Sequence, residues 1–234
     1  MTKKTCGIHQ PNFFPWLGYF DKMKQSDVFI FLDDVAYPKS GSGMGAWTNR
    51  VKVNIQGRAA WVTCPVQRMP GIQPIKTVEI DNSQHWKKKL FKTLEINYKK
   101  APEYTWAMDF LTPLINHSSD NLAEYNIAAI TAISLKLGIK TRYIRQSELF
   151  SEHELKSTAL LINLAKSVEA ATYLAGGGSQ GYQQDDLFEK EGLDLRYQNF
   201  KPTSYGGHAH WLAGLSVIDY LMWIGADSEG FGSD

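Results

Sequence analysis

Cysteine is nearly absent from this chain: only Cys6 and Cys64 occur, both inside apolar, strand-like runs. Two thiols cannot build a disulfide framework, and the pattern reads as two buried thiols in a reducing compartment. Long apolar runs are missing as well. None approaches the roughly 20 residues that a membrane span needs. The residues after Met1-Thr2-Lys3-Lys4 supply about four apolar positions, too few for the core of a signal peptide. The expected location is therefore cytoplasmic, with no membrane partner. Excess charge of either sign is lacking too. The net charge is +1, so no global field gathers nucleic acid or anionic lipid. Only local patches remain, such as Lys87-Lys88-Lys89 followed by Lys92. There is no internal repeat and no low-complexity tract beyond Gly/Ser loops.

What is present is an ordinary globular composition, 43% hydrophobic and 21% charged over 234 residues. That length suffices for one domain, residues 1–234, with a real core and a sizeable insertion. The chain is organised around Gly7 to Phe20. Thr5 to Ile8 reads as a first strand that breaks at His9-Gln10-Pro11-Asn12. Helical spacing then takes over, with Leu17, Phe20 and Met23 on one face and Pro15 in the first turn. Val28 to Leu32 is continuously apolar, the mark of a strand covered on both faces, and it ends in Asp33-Asp34.

A loop and β-hairpin region follows over about 36–80. It holds a Gly/Ser loop from Ala36 to Trp47, then Arg50–Val53 and Ala60–Val66 as hairpin strands around Asn54-Ile55-Gln56-Gly57. Thr77 to Ile80 reads as one more short strand. Helices occupy about 83–137, the first with Leu90, Leu94 and Tyr98 inward and its lysines on the solvated side. Leu137-Gly138-Ile139 is a glycine-capped stop. Strand and helix then alternate: Thr141–Ile144, a helix from Ser157 to Val168, Ala171–Ala175, a glycine loop, a helix from Tyr182 to Glu191, and Leu193–Tyr197. A closing helix spans Trp211 to Ile224. This order predicts the α/β class, as an open and largely parallel Rossmann-like sheet with a β-hairpin and helical insertion.

Ligands of open parallel sheets bind beyond the carboxyl ends of the strands, where His9 falls. An imidazole there suits general acid/base chemistry, or holds a phosphate when protonated. Gln10 and Asn12 offer amides to a carbonyl or sugar hydroxyl, and Trp16 is an aromatic wall. The backbone N–H groups from Asn12 to Trp16 would form an anion site at the helix start. Asp33 and Asp34 would orient an attacking amine or contact a ribose; as a Mg²⁺ pair they lack further ligands. Gly176, Gly177 and Gly178 lie between a strand and a helix, as a phosphate nest requires, without the G-x-G-x-x-G spacing or a Walker lysine. Asn49, Arg50 and Lys52 follow the Gly/Ser loop, and Arg50 suits a bidentate grip on phosphate or carboxylate. His208-Ala209-His210 has no third ligand near it, and Cys6, three residues before His9, lies within a strand. No metal site and no thiol nucleophile is assigned, and the residues name no cofactor.

Several blocks closely resemble the WbqC-like family. They are Ile8 to Lys22, Ser26 to Val35, Asn49-Arg50-Val51-Lys52, Trp61 to Val66, Tyr173-Leu174-Ala175-Gly176, and Leu215 to Asp219 with Ile224-Gly225. The segment between Tyr37 and Asn49 departs from the pattern, being richer in glycine and less basic. The family occurs in gene clusters for O-antigen and related surface polysaccharides, including lipopolysaccharide. The resemblance implies a transferase that acylates or aminoacylates, by glycyl transfer for instance, an amino group of a nucleotide-linked sugar. Its partners would be that amino sugar and an activated acyl or aminoacyl donor, with nucleic acid involved only as an aminoacyl-tRNA donor. In that reading His9 is the base, Asp33 or Asp34 orients it or contacts the sugar, and the glycine loop binds phosphates. A second similarity is architectural. The opening strand, histidine and helix look like the nucleotidyltransferase and class I synthetase superfamily, with Pro11 and Asn12 where its H-x-G-H signature has glycine and histidine. That similarity implies a nucleotide-dependent ligase or nucleotidyltransferase instead. A non-catalytic sugar-nucleotide binding protein is the third reading.

Overall fold

The computed structural model describes residues 3–38, 47–67, 69–149, 155–179, 183–206 and 211–226. The chain opens with β1 (Thr5–His9), α1 (Leu17–Lys24) and β2 (Val28–Phe31). A hairpin of β3 (Arg50–Ile55) and β4 (Arg58–Thr63) comes next, followed by α2 (Trp86–Tyr98), α3 (Tyr104–Ile115) and α4 (Leu122–Lys136). The alternating part contains β5 (Arg142–Arg145), α5 (Ser157–Ser167), β6 (Thr172–Ala175), α6 (Asp185–Lys190), β7 (Asp194–Tyr197) and α7 (Val217–Ile224).

Five strands form one parallel sheet in the order β5-β2-β1-β6-β7. The hairpin is a separate two-stranded antiparallel sheet. It lies with α2, α3 and α4 inside the connection from β2 to β5. The protein is thus an α/β fold with an open, Rossmann-like parallel sheet.

The continuous apolar runs of β1 and β2 are explained by cover on both faces. Phe29 and Phe31 enter one core with Phe20 and Met23 of α1 and Ile130 of α4. Cys6, Ile8, Val28 and Ile30 enter the other with Leu160 and Leu164 of α5 and Phe188 of α6. Gly7 leaves room for Ser26, just past α1, and for the Phe29 ring of β2. A methyl group there would stand 2.4 Å from Ser26 Oγ and 2.9 Å from the Phe29 ring.

Several elements differ from the sequence expectation for local reasons. α1 starts at Leu17, two residues beyond Pro15, because Phe14 adopts φ +39° rather than a helical conformation. A residue before proline is pushed away from the helical region. The hairpin turn is the two-residue Gln56-Gly57, with φ +52° and +79°, values that suit the right-handed twist of a hairpin. Thr77–Ile80 makes no strand; a 3₁₀ turn covers Ile75–Thr77, and Glu79 and Ile80 form only single bridges to Asn121 and Val66. The closing helix begins at Val217, capped by Ser216, since Gly214 at φ +73° interrupts the run from Trp211. α6 starts at Asp185 rather than Tyr182, which lies outside the described residues.

Candidate functional site at the strand switch point

The sheet places β1 at its centre. The chain builds outward through β2 and β5 on one side and through β6 and β7 on the other. Ligands of open α/β sheets bind outside the carboxyl ends at such a reversal. Pairing of β1 with β2 continues to His9↔Phe31, whereas its pairing with β6 ends at Gly7↔Leu174. His9 and Gln10 follow one lip of this crevice, and Gly176 to Gly178 follow the other. Gln198, at the end of β7, donates from its side chain to Gly18 O and Asp21 Oδ2 on α1. At position 177 the backbone passes close to β7: a Cβ there would lie 3.0 Å from Gln198 O, a tight contact.

Lys22 reaches into this region from α1. The carbonyls of Thr5 and His9 face β2, where they accept from the N–H groups of Asp27 and Leu32. The Ile8 carbonyl, one residue out of phase, faces β6. Lys22 Nζ donates to it at 2.7 Å. The side chain is 3% exposed and has no carboxylate partner among the described residues. Burial pulls its pKa from 10.5 down to about 7. A buried cation without an ion pair is costly, and an anionic ligand in the crevice would relieve that cost.

His9 is held in one orientation. Its Nδ1 lies 3.0 Å from the carbonyl oxygen of Gln10, which also accepts from Tyr19 Oη at 3.0 Å. A carbonyl only accepts, so Nδ1 carries the proton and Nε2 carries the free lone pair. The Tyr19 ring meets the imidazole edge-on at 4.9 Å. Burial, and secondarily the charge of Lys22, push the His9 pKa down to about 4. At neutral pH His9 is therefore a neutral base and does not hold phosphate as a cation. Cys6 stands three residues before it in the strand, hence on the opposite face, and burial raises its thiol to about 12. Cys6 and Cys64 are both buried and unbridged.

The segment between His9 and α1 is pinned at nearly every residue. Asn126 of α4 donates its amide to Pro11 O and to Thr48 O. Phe13 N–H donates to Trp47 O, Ser216 Oγ to Phe14 O, and Val217 N–H to Pro15 O. The expected row of free N–H groups from Asn12 to Trp16 is thus broken at Phe13, and the helix start lies beyond it. Asn12 itself is 6% exposed, and its side chain has no hydrogen-bond partner among the described residues. Trp16 packs edge-on against Phe200.

These geometries sit in a chain that a family comparison matches over residues 10–230, to the WbqC-like protein family. The chain belongs to that family. A protein of Mycobacterium tuberculosis strain H37Rv, itself described as uncharacterized, is 30% identical over 236 aligned positions, covering 97% of each chain. No solved structure matches.

Within this WbqC-like chain, the other sequence candidates divide by location. Asp33 is buried, and its two carboxylate oxygens accept from Ser147 N–H and Ser147 Oγ, so it braces the turn after β5. Asp34 pairs with Lys76 at 2.8 Å. Asn49 donates to Cys64 O at the base of the hairpin. Arg50 and Lys52 stand on the outer face of β3, over the ring of Trp61. They belong to the hairpin sheet, whereas His9, Gln10, Lys22 and the glycine loop belong to the crevice. Lys22, Asn126 and Gln198 carry no functional signal in the sequence, and Tyr19 reads there as one of several aromatics at helical spacing. The burial of Lys22 follows from how α1, buried from Leu17 to Met23, packs on the sheet. No group of three metal-ligating side chains occurs among the described residues; His208 and His210 lie outside them. No helix among them is long and apolar enough to cross a membrane.

Proposed function

We propose that this WbqC-like protein is a transferase that acylates or aminoacylates an amino group of a nucleotide-linked sugar, in O-antigen or related surface polysaccharide synthesis. The observation that carries the reading is the neutral His9, its Nδ1–H fixed on Gln10 O and its Nε2 free, at the end of the central strand. In the reaction the sugar amine attacks the donor's carbonyl carbon. Nε2 takes the proton from the attacking nitrogen as the new C–N bond forms. The bond to the donor's carrier then breaks, and the proton passes to the departing group. Lys22 and the loop Gly176 to Gly178 supply positive charge and backbone donors for the phosphates of the sugar nucleotide. Asp33 acts as a brace for the strand end beside His9, and Gln10 and Asn12 offer amides to the sugar.

The strand order and the histidine at the end of β1 also support a nucleotide-dependent ligase or nucleotidyltransferase. Thermal shift separates the two. UDP- or dTDP-linked amino sugars should raise the melting temperature and ATP should not. Stabilisation by ATP alone overturns the transferase reading in favour of the ligase. In a reconstituted reaction, His9→Gln should bind the sugar nucleotide normally and lower turnover about 10²- to 10⁴-fold. Unchanged turnover in that variant removes His9 from the chemistry.

A further inference from the structure

The hairpin and α2 together present a basic, aromatic groove that the crevice chemistry does not use. From residue 50 to 63 the hairpin carries Arg50, Lys52 and Arg58 and no acidic residue. α2 carries four lysines against the single acid Glu95. Lys87 turns inward, donating to His117 O. Lys88, Lys89 and Lys92 are exposed and make no ion pair among the described residues. Asp81, just before α2, is occupied by Ser83 and Gln84. This concentration of charge occurs in a chain whose net charge is only +1.

The groove has a definite shape. Strand register places Lys52 opposite Trp61 and Arg50 opposite Thr63, on the outer face of the hairpin. The Arg50 guanidinium lies 4.3 Å and Lys52 Nζ 5.1 Å from the centre of the Trp61 ring, which is 39% exposed. Trp47 meets the same ring edge-on. Between β4 and α2 opens a cavity of about 260 Å³, lined by Phe13, Trp61, Thr63, Trp86, Lys89 and Leu90 among others. Asn54 N–H donates to Tyr98 Oη and Gln56 N–H to Asn97 Oδ1, tying the far end of α2 to the hairpin turn. The groove runs beside the first two turns of α2, where Trp86, Lys89, Leu90 and Thr93 line it. Lys89 and Lys92, three residues apart, share its helical side.

Aromatic rings that accept a stacked base, flanked by cations spaced for successive phosphates, are the chemistry of single-strand recognition. We propose that this groove binds single-stranded RNA, with one splayed base in the cavity beside Trp61 and its neighbouring phosphates on Arg50, Lys52, Lys89 and Lys92. The cavity admits a ring and not a duplex. The cations stand on two separate elements, Arg50 and Lys52 on β3 and Lys89 and Lys92 on α2. The inference rests on the proposed transferase reading only for the cargo, an aminoacyl group borne on the RNA; binding of the strand is argued without any reaction.

The test is fluorescence anisotropy with a 5′-labelled single-stranded RNA 12-mer at low salt. Saturable binding is expected, with log K falling against log salt at about −0.7 per phosphate contacted. Trp61→Ala should weaken binding about 5- to 150-fold, and Lys89→Glu/Lys92→Glu at least about tenfold with a shallower salt slope. Circular dichroism verifies that each variant is folded. His9→Gln should bind the RNA as the parent does, so failure of the catalytic reading leaves this result standing. Absence of saturable binding overturns the proposal, as does binding indifferent to all three groove substitutions. Displacement of the RNA by coenzyme A at equal concentration also overturns it, by assigning the groove to a coenzyme.

Discussion

The ammonium nitrogen of Lys22 lies 2.7 Å from the carbonyl oxygen of Ile8, the β1 carbonyl in phase with β6 just before the sheet opens. Helix α1 thus places a cation at the switch point from behind the crevice. Its pKa is about 7 folded against 10.5 for the free side chain, so between those values the unfolded chain binds the extra proton. Stability should therefore rise with pH across that window, and the cost of the buried charge should be felt below it. Lys22→Met should flatten this dependence. It should raise stability near pH 6.5 by about 1–2 kcal/mol, since it removes a buried charge but leaves the Ile8 carbonyl unpaired. Urea melts at about pH 6.5 and pH 9.5 measure both; a parent protein equally stable at the two values would show that Lys22 does not titrate as stated. The variant should also lose stabilisation by sugar nucleotides.

His9 gives the opposite end of the pH scale. Its folded pKa near 4 lies below the free value of 6.5, so on acidification the unfolded state takes the proton first. Stability is lost as pH falls through that interval and is fully present above it. Nitrogen NMR of the imidazole should show a proton on Nδ1 and no titration between about pH 8 and pH 5. A ring that titrates near its ordinary value would contradict the buried, neutral state.

Gly7→Ala tests how closely the central strand packs against Ser26, in the turn after α1, and Phe29 of β2. The added methyl meets Ser26 Oγ at 2.4 Å and Phe29 at 2.9 Å, which should cost about 1–3 kcal/mol. Ser26→Gly in the same chain should recover part of that loss in a double-mutant cycle. Additive effects would mean that the helix shifts as a body.

Asn126 fastens the loop after His9 by donating to Pro11 O and Thr48 O, while its own Oδ1 is buried without a partner among the described residues. Asn126→Leu leaves two carbonyls unpaired and should destabilise the fold by about 2–4 kcal/mol. Sugar-nucleotide affinity should fall with it, because the position of Asn12 depends on this clamp. Normal affinity in the folded variant would detach the clamp from the site.

The candidate site was legible in the sequence to the extent that one strand end dictated it. His9 follows the first apolar strand of the chain, and the carboxyl end of a strand in a parallel sheet is where ligands bind. Asp33 was legible as a strand-end carboxylate, but its role was not, since Ser147 lies 114 positions away in the chain. Arg50 and Lys52 read as anion grips without any sign that they share one tryptophan ring. Along the hairpin Val51, Val53 and Trp61 alternate with polar residues, which suggests a single apolar face. The observed pairing of Lys52 with Trp61 and of Val51 with Val62 puts that tryptophan on the outer face instead.

By itself the sequence determined the α/β class, the strand–helix alternation, the insertion between the second strand and the third strand of the sheet, and the family. Those follow from local periodicity, glycine and proline positions, and short contiguous motifs. Only the tertiary structure decided the order β5-β2-β1-β6-β7 and the parting of β1 from β6. It also decided the protonation states of His9 and Lys22 and the union of the hairpin with α2 in one groove. Each of these depends on which distant residues desolvate or pair with a group, and that is settled by packing rather than by spacing along the chain.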